Sequence, residues 1–163
     1  MSAPSRPSFD EYFMGIAEAV SKRADCTRRA VGAILVDKHR RLISSGYNGS
    51  PPGGPSCLAG ECPRGTHFLP FDSPGFCACG KEWPCIMSVD PGSSYDSGPG
   101  VCEANHAEGN ALLWADPQRV DGSSMYVTAE PCPGCWRLIK GMRIACVFYP
   151  GPYGMESVVF PPA

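Results

Sequence analysis

Apolar positions Phe9, Tyr12, Phe13, Ile16 and Val20 recur at the spacing of one helix face. Ahead of them Ser8-Phe9-Asp10-Glu11 has the S-x-x-E form, in which serine and glutamate satisfy the orphan backbone donors of a helix start. Together these signals predict a helix over residues 9–23. The pattern then changes. Residues 30–36 form a short apolar run rich in β-branched side chains, as a buried strand requires. Residues 37–40 turn the chain, and residues 42–47 return it as a neighbouring strand.

From Gly46 to Gly100 the periodicity disappears. This stretch holds more than half of the chain's 19 glycines and 18 prolines. A loop of that length is uncommon in a compact domain unless something else orders it. It also carries Cys57, Cys62, Cys77, Cys79 and Cys85, so metal is the expected staple. Regular structure resumes at Asn105, a good N-cap, with a helix through Trp114 that Asp116-Pro117 stops. Residues 125–128 read as a strand and residues 133–140 as a short helix with Gly141 at its C-cap. Residues 144–149 read as a last strand before a Pro- and Gly-rich tail. Helices alternating with short apolar strands predict an α/β layered fold. No internal repeat or second domain is visible, so residues 1–163 are expected to form one domain with an insertion at about 50–102.

Composition narrows the function. Lys and Arg number 14 against 16 Asp and Glu, a net charge of -2. A dedicated nucleic-acid binder carries a basic face and a high pI, so a small-molecule substrate is expected and a nucleic-acid partner is not. No run approaches the roughly 18 apolar residues of a membrane span. The first ten residues lack the order of a signal peptide. A cytoplasmic, reducing setting is therefore expected, with no membrane partner. There ten cysteines point to metal or catalysis before disulfides.

The strongest chemical signal is His106-Ala107-Glu108 followed by Pro131-Cys132-Pro133-Gly134-Cys135. A catalytic zinc takes three protein ligands and keeps one position for water, and His106, Cys132 and Cys135 supply such a set. Cys132 and Cys135 stand three apart at a helix start, so both sulfurs can face one ion, and the helix N-terminus favours their thiolates. Glu108, two after the histidine, can enter the same pocket without binding the ion. This is the H-x-E…P-C-x-x-C signature of zinc nucleobase deaminases. The metal lowers the pKa of its bound water. Glu108 is then placed to take the water's proton, deliver it to a ring nitrogen and help ammonia leave. An isolated C-x-x-C also serves as a redox pair or a structural knuckle, and Glu108 also suits a helix cap. Both readings weaken when the whole pattern stands in order between predicted strands.

Beyond that signature, the matching stretches are Glu11-Tyr12-Phe13-Met14, Val31-Gly32-Ala33 and Gly46-Tyr47-Asn48-Gly49-Ser50-Pro51. They continue in His106-Ala107-Glu108-Gly109-Asn110-Ala111, Ser124-Met125-Tyr126-Val127-Thr128, and Pro131 with Cys132 through Cys135. Through them the chain resembles the deoxycytidylate deaminases of the cytidine deaminase superfamily, except at 66–100 and in the tail. Gly46-Tyr47-Asn48-Gly49 favours this branch over tRNA adenosine or free-nucleoside deaminases. The resemblance implies a three-layer domain: a central mixed sheet of about four or five strands, with helices on both faces. It implies conversion of deoxycytidylate (dCMP) to deoxyuridylate (dUMP) and ammonia with one catalytic zinc.

The same resemblance implies that Asn48 bonds the substrate's sugar and Arg28 its phosphate, for which a guanidinium is well shaped. Asn48 also suits a plain turn, and Arg28 a solvated surface. Tyr153 and Tyr149 are candidates to close the pocket, with core packing the rival role for Tyr149. Cys26, Cys57, Cys62 and Cys102 resemble a second, structural zinc site. Cys77, Cys79, Cys85 and His67 are candidates for a further site or for exchange with that one. Cys146 reads as a core thiol. A homo-oligomer is expected. Family members usually continue past the last strand with another helix and strand, which predicts a smaller sheet here. Two rivals remain: a deaminase of cytidine, cytosine, a modified pyrimidine or a purine, and an inactive zinc-stapled binding module. Glu108 argues against the module, which has no need of it.

Overall fold

Ser8 starts the first helix as its motif requires. Its Oγ accepts the Glu11 N–H at 3.2 Å, and the Glu11 carboxylate accepts the Ser8 N–H at 2.7 Å. Helix α1 spans Phe9–Ser21, ending slightly short of the expected boundary, in a computed structural model that describes residues 6–62, 67, 72, 74–87 and 102–161. Strand β1 (Gly32–Val36) is buried throughout, and β2 (Leu42–Tyr47) pairs with it antiparallel. Asp37 makes the turn between them, its Oδ1 accepting the N–H groups of His39 and Arg41.

The second half of the chain supplies α2 (Ala107–Leu113), α3 (Pro117–Val120), β3 (Ser124–Val127) and α4 (Pro133–Gly141). Strands β4 (Cys146–Gly151) and β5 (Gly154–Val159) follow. The sheet order is β2-β1-β3-β4-β5. Among the described residues only β3 and β4 pair parallel, and α4 supplies the crossover that a parallel pair needs. Because strand side chains alternate, β1 sends Ile34 and Val36 to one face, where Phe13, Met14 and Ala17 of α1 cover them beside Tyr126. Ala33, Leu35, Met125, Val127 and Val147 form the opposite face, under Ala107 and Ala111 of α2 and Cys135 and Ile139 of α4. The sheet is thus mixed and five-stranded, with helices on both faces, as expected.

Three local expectations are corrected. Asn105 does not cap α2, because its N–H and C=O are both taken by Gly49 in an antiparallel bridge, and His106 becomes the N-cap. Asp116-Pro117 does more than stop a helix: the Asp116 carboxylate accepts the Gln118 N–H and starts α3. The tail holds a strand, β5, which the Pro- and Gly-rich composition hid. Its order comes from pairing with the edge of β4, through the tight turn that Gly154 makes at φ +131°. A positive φ of this kind suits glycine.

The chain divides into two compact units. The sheet and helices belong to the unit of Met1–Ala24, Val31–Tyr47 and His106–Ala163. The other unit, Asp25–Ala30 with Asn48–Asn105, has no named helix or strand among the described residues. Asp25 is one of its anchors: its N–H donates to the Asn48 carbonyl, and its carboxylate accepts Ser56 Oγ and the Leu58 N–H, each at 3.0 Å. Among the described residues no helix is long and apolar enough to cross a membrane.

Candidate active site and metal centres

Gly46 sets the position of α2. A Cβ there would lie 2.3 Å from the Ala111 nitrogen and 2.4 Å from the Ala107 oxygen, so only glycine lets β2 and the helix approach this closely. Ser44 Oγ donates to the Ala111 carbonyl at 2.6 Å, and Asn110 Nδ2 to the Tyr47 carbonyl at 2.7 Å. These contacts fix the first turn of α2, with His106 just ahead of it and Glu108 within it. Gly46 and Asn110 fell inside the matching motifs, but nothing in the sequence singled out Ser44.

Helix α4 brings the other two groups. Cys132 is its N-cap, and Cys132 Sγ accepts the Cys135 N–H at 3.4 Å. His106 Nδ1 then lies 3.4 Å from Cys132 Sγ and 3.3 Å from Cys135 Sγ. Zinc–sulfur bonds of about 2.3 Å and zinc–nitrogen bonds of about 2.0 Å, at tetrahedral angles, put ligand atoms about 3.6 Å apart. The set therefore has the dimensions and the chemistry of a zinc site with three protein ligands.

Glu108 is 4% exposed, and burial raises its carboxyl above the ordinary range. A hydrogen bond from its own backbone, and then the neighbouring His106 and Cys135 side chains, pull the other way. Cys135 is 3% exposed, and its thiol is pushed well up, first by burial and then by Glu108 and Cys132. The helix N-terminus was expected to favour this thiolate. Burial beside a carboxylate outweighs it, because a helix end carries only about half a unit charge. A bound dication is what would restore the thiolate.

In the loop-built unit, Cys57 is pushed up to about 11, chiefly by burial, with Cys62 and Cys26 close enough to add to the effect. Cys26 Sγ accepts the Arg28 N–H at 3.4 Å. These three of the four expected structural ligands are thus neighbours, while Cys102 is half-buried ahead of α2. A second group, His67, Cys77, Cys79 and Cys85, holds its donor atoms within 4.8 Å of one another.

Asn48 is 1% exposed, and its Nδ2 donates to the Arg29 carbonyl at 2.8 Å, which orients the side chain. Arg28 is half-buried in the same unit. Tyr149 belongs to the core, edge-on to Trp136 at 6.1 Å. Tyr153 is wholly exposed in the turn between β4 and β5. Cys146 is half-buried in β4.

Comparison with known proteins adds four findings. A family model, the cytidine and deoxycytidylate deaminase zinc-binding region, matches residues 7–150. The deoxycytidylate deaminase of Mycobacterium phage D29 is 42% identical over 147 residues, covering 90% of this chain and 97% of that protein. The deoxycytidylate deaminase of Schizosaccharomyces pombe is 36% identical over 153 residues, covering 93% of this chain but only 40% of the yeast protein's length. Among solved structures, the dCMP deaminase of cyanophage S-TIM5 in complex with dCMP and dUMP is similar at a TM-score of 0.53 and 25% identity. It covers 90% of this chain and 83% of the phage chain.

Proposed function

The chain belongs to the cytidine and deoxycytidylate deaminase zinc-binding family, and on that premise we propose that it hydrolyses dCMP to dUMP and ammonia. The observation that carries this reading is the buried Glu108 beside His106, Cys132 and Cys135. A purely structural metal site has no use for that carboxylate, and a redox pair has no use for the histidine.

His106, Cys132 and Cys135 would hold the zinc, which supplies a Lewis acid that lowers the pKa of water at its open position. Glu108 accepts a proton from the attacking water and delivers it to the pyrimidine ring nitrogen, then takes the second proton from the hydroxyl now on the ring carbon and passes it to the departing amino group. The raised pKa suits a carboxyl that must both accept and donate near neutral pH. Water's oxygen replaces the amino nitrogen, so the products are the keto base and ammonia.

Asn48 is assigned to the sugar, supported by its burial and its fixed amide. Arg28 is assigned to the phosphate. Nothing in the structure adds to Tyr153. Cys26, Cys57, Cys62 and Cys102 are assigned to a structural zinc, supported by the closeness of the first three. A homo-oligomer is supported by the exposed apolar side chains Leu113, Trp114 and Leu138 on α2, its C-cap and α4. A cytoplasmic setting is supported by ten cysteines with no disulfide among them.

Ammonia release from cytosine, cytidine, deoxycytidine and dCMP tests the reading. Fastest turnover of dCMP is expected. Equal or faster turnover of the unphosphorylated compounds would replace it with a nucleoside or base deaminase.

A further inference from the structure

Residues 74–87 hold a defined shape although no named helix or strand runs through them. Phe76 bridges antiparallel to Glu82, and the Trp83 N–H donates to the Gly75 carbonyl at 2.9 Å. Inside that small hairpin the Cys77 N–H donates to the Lys81 carbonyl at 2.7 Å, and the Gly80 N–H to the Cys77 carbonyl at 2.8 Å. Gly80 closes the turn at φ +85°, a conformation that a side chain would strain. Cys77 and Cys79 thus stand on one tight turn, with Cys85 just beyond the hairpin and His67 arriving from upstream.

His67 Nδ1 lies 3.3 Å from Cys85 Sγ and 3.8 Å from Cys77 Sγ, and all four donor atoms fall within 4.8 Å of one another. We propose that His67, Cys77, Cys79 and Cys85 form a closed structural zinc site, separate from the His106, Cys132 and Cys135 set. Nitrogen and sulfur ligands of one tetrahedral zinc lie about 3.6 Å apart, a value these distances bracket. Four protein ligands leave no position for water, which marks a structural rather than a catalytic ion.

Two further observations favour metal over packing. Cys77 and Cys85 are buried, but Cys79 is exposed and His67 half-buried, so hydrophobic burial does not account for all four converging. Three thiols also leave one over from any disulfide, and the chain has none. One histidine with three thiolates suits zinc among the divalent metals. Binding would release the thiol protons and order a stretch through which no named helix or strand runs.

The site does not depend on the deaminase reading, since it shares no residue with the catalytic set. The wild-type protein tests it first, by iodoacetamide labelling under reducing conditions and peptide mass spectrometry. Cys79 should resist labelling despite its exposure, and should become reactive together with Cys77 and Cys85 only after a zinc chelator is added. Complete labelling of Cys79 without chelator, or a disulfide joining any two of the three, would overturn the proposal.

Elemental analysis of Cys77→Ser/Cys79→Ser should then show about one zinc per chain fewer than wild type. Unchanged zinc, or iron in its place, would also overturn it. Cys132→Ser separates the two readings: it should lose the catalytic zinc and leave Cys79 protected. If the double variant does not fold, the labelling of the wild-type protein decides alone.

Discussion

The proposed chemistry rests on one carboxyl, that of Glu108, which is buried and whose pKa burial raises. Glutamine keeps its size and loses its proton. Glu108→Gln is therefore expected to lower kcat by about 10²–10⁴-fold while zinc content and the thermal melt stay as in wild type. A near wild-type rate would reduce Glu108 to a helix residue. Arg28, assigned to the phosphate, would contribute to binding rather than to the chemical step. A charged hydrogen bond to phosphate is worth about 1.5–3 kcal/mol, so Arg28→Ala should raise KM for dCMP about ten- to a hundredfold and leave the nucleoside's KM alone. Arg29 is the adjacent residue, which makes the double substitution the cleaner measurement. Equal effects on both substrates would remove Arg28 from the phosphate.

Helix α2 owes its place to an absent side chain. At Gly46 an added Cβ would meet the Ala107 and Ala111 backbone, not a flexible side-chain end, so the helix itself must move. Overpacking of this kind costs on the order of 3 kcal/mol. Gly46→Ala is expected to lose about that much stability in denaturant titration, and to lose turnover with it, because His106 and Glu108 ride on the displaced turn. Retained stability with retained activity would mean that the strand yields instead. Helix α1 gives the contrast. Its capping box lies on the opposite layer from α2 and α4, so Ser8→Ala should cost about 1 kcal/mol and leave turnover unchanged, measured on the same samples.

The two units differ in what holds them. The sheet unit rests on apolar layers around β1, whose every residue is buried. The loop-built unit rests on turns, on Asp25 and on clustered cysteines. Structural zinc in small domains contributes on the order of 10 kcal/mol, far more than a few turn hydrogen bonds. Chelation should therefore release the amides of Gly49, Cys77, Trp83 and Asn105 to rapid hydrogen exchange while those of β1 stay protected. Mass spectrometry of exchange reads both at once. Equal loss at β1 would show that the metals hold the whole fold rather than the loops.

Short-range signals were legible from the residues alone. The capping box, the apolar run of β1, the exact span of β2 and the H-x-E and C-x-x-C groups depend on neighbours a few positions away, which spacing encodes. What the tertiary structure decided was how the cysteines of the long loop group. The spacing of Cys26, Cys57, Cys62, Cys77, Cys79 and Cys85 did not say which share a neighbourhood, because a flexible loop closes over many lengths at nearly the same entropy. In the fold, Cys57 lies beside Cys62 and Cys26, while Cys77, Cys79 and Cys85 gather on His67. Asn105 looked like a cap until the distant Gly49 claimed both of its backbone groups. Strand β5 stayed hidden for the same reason: its order comes from the edge of β4, and an edge exists only once the sheet has formed.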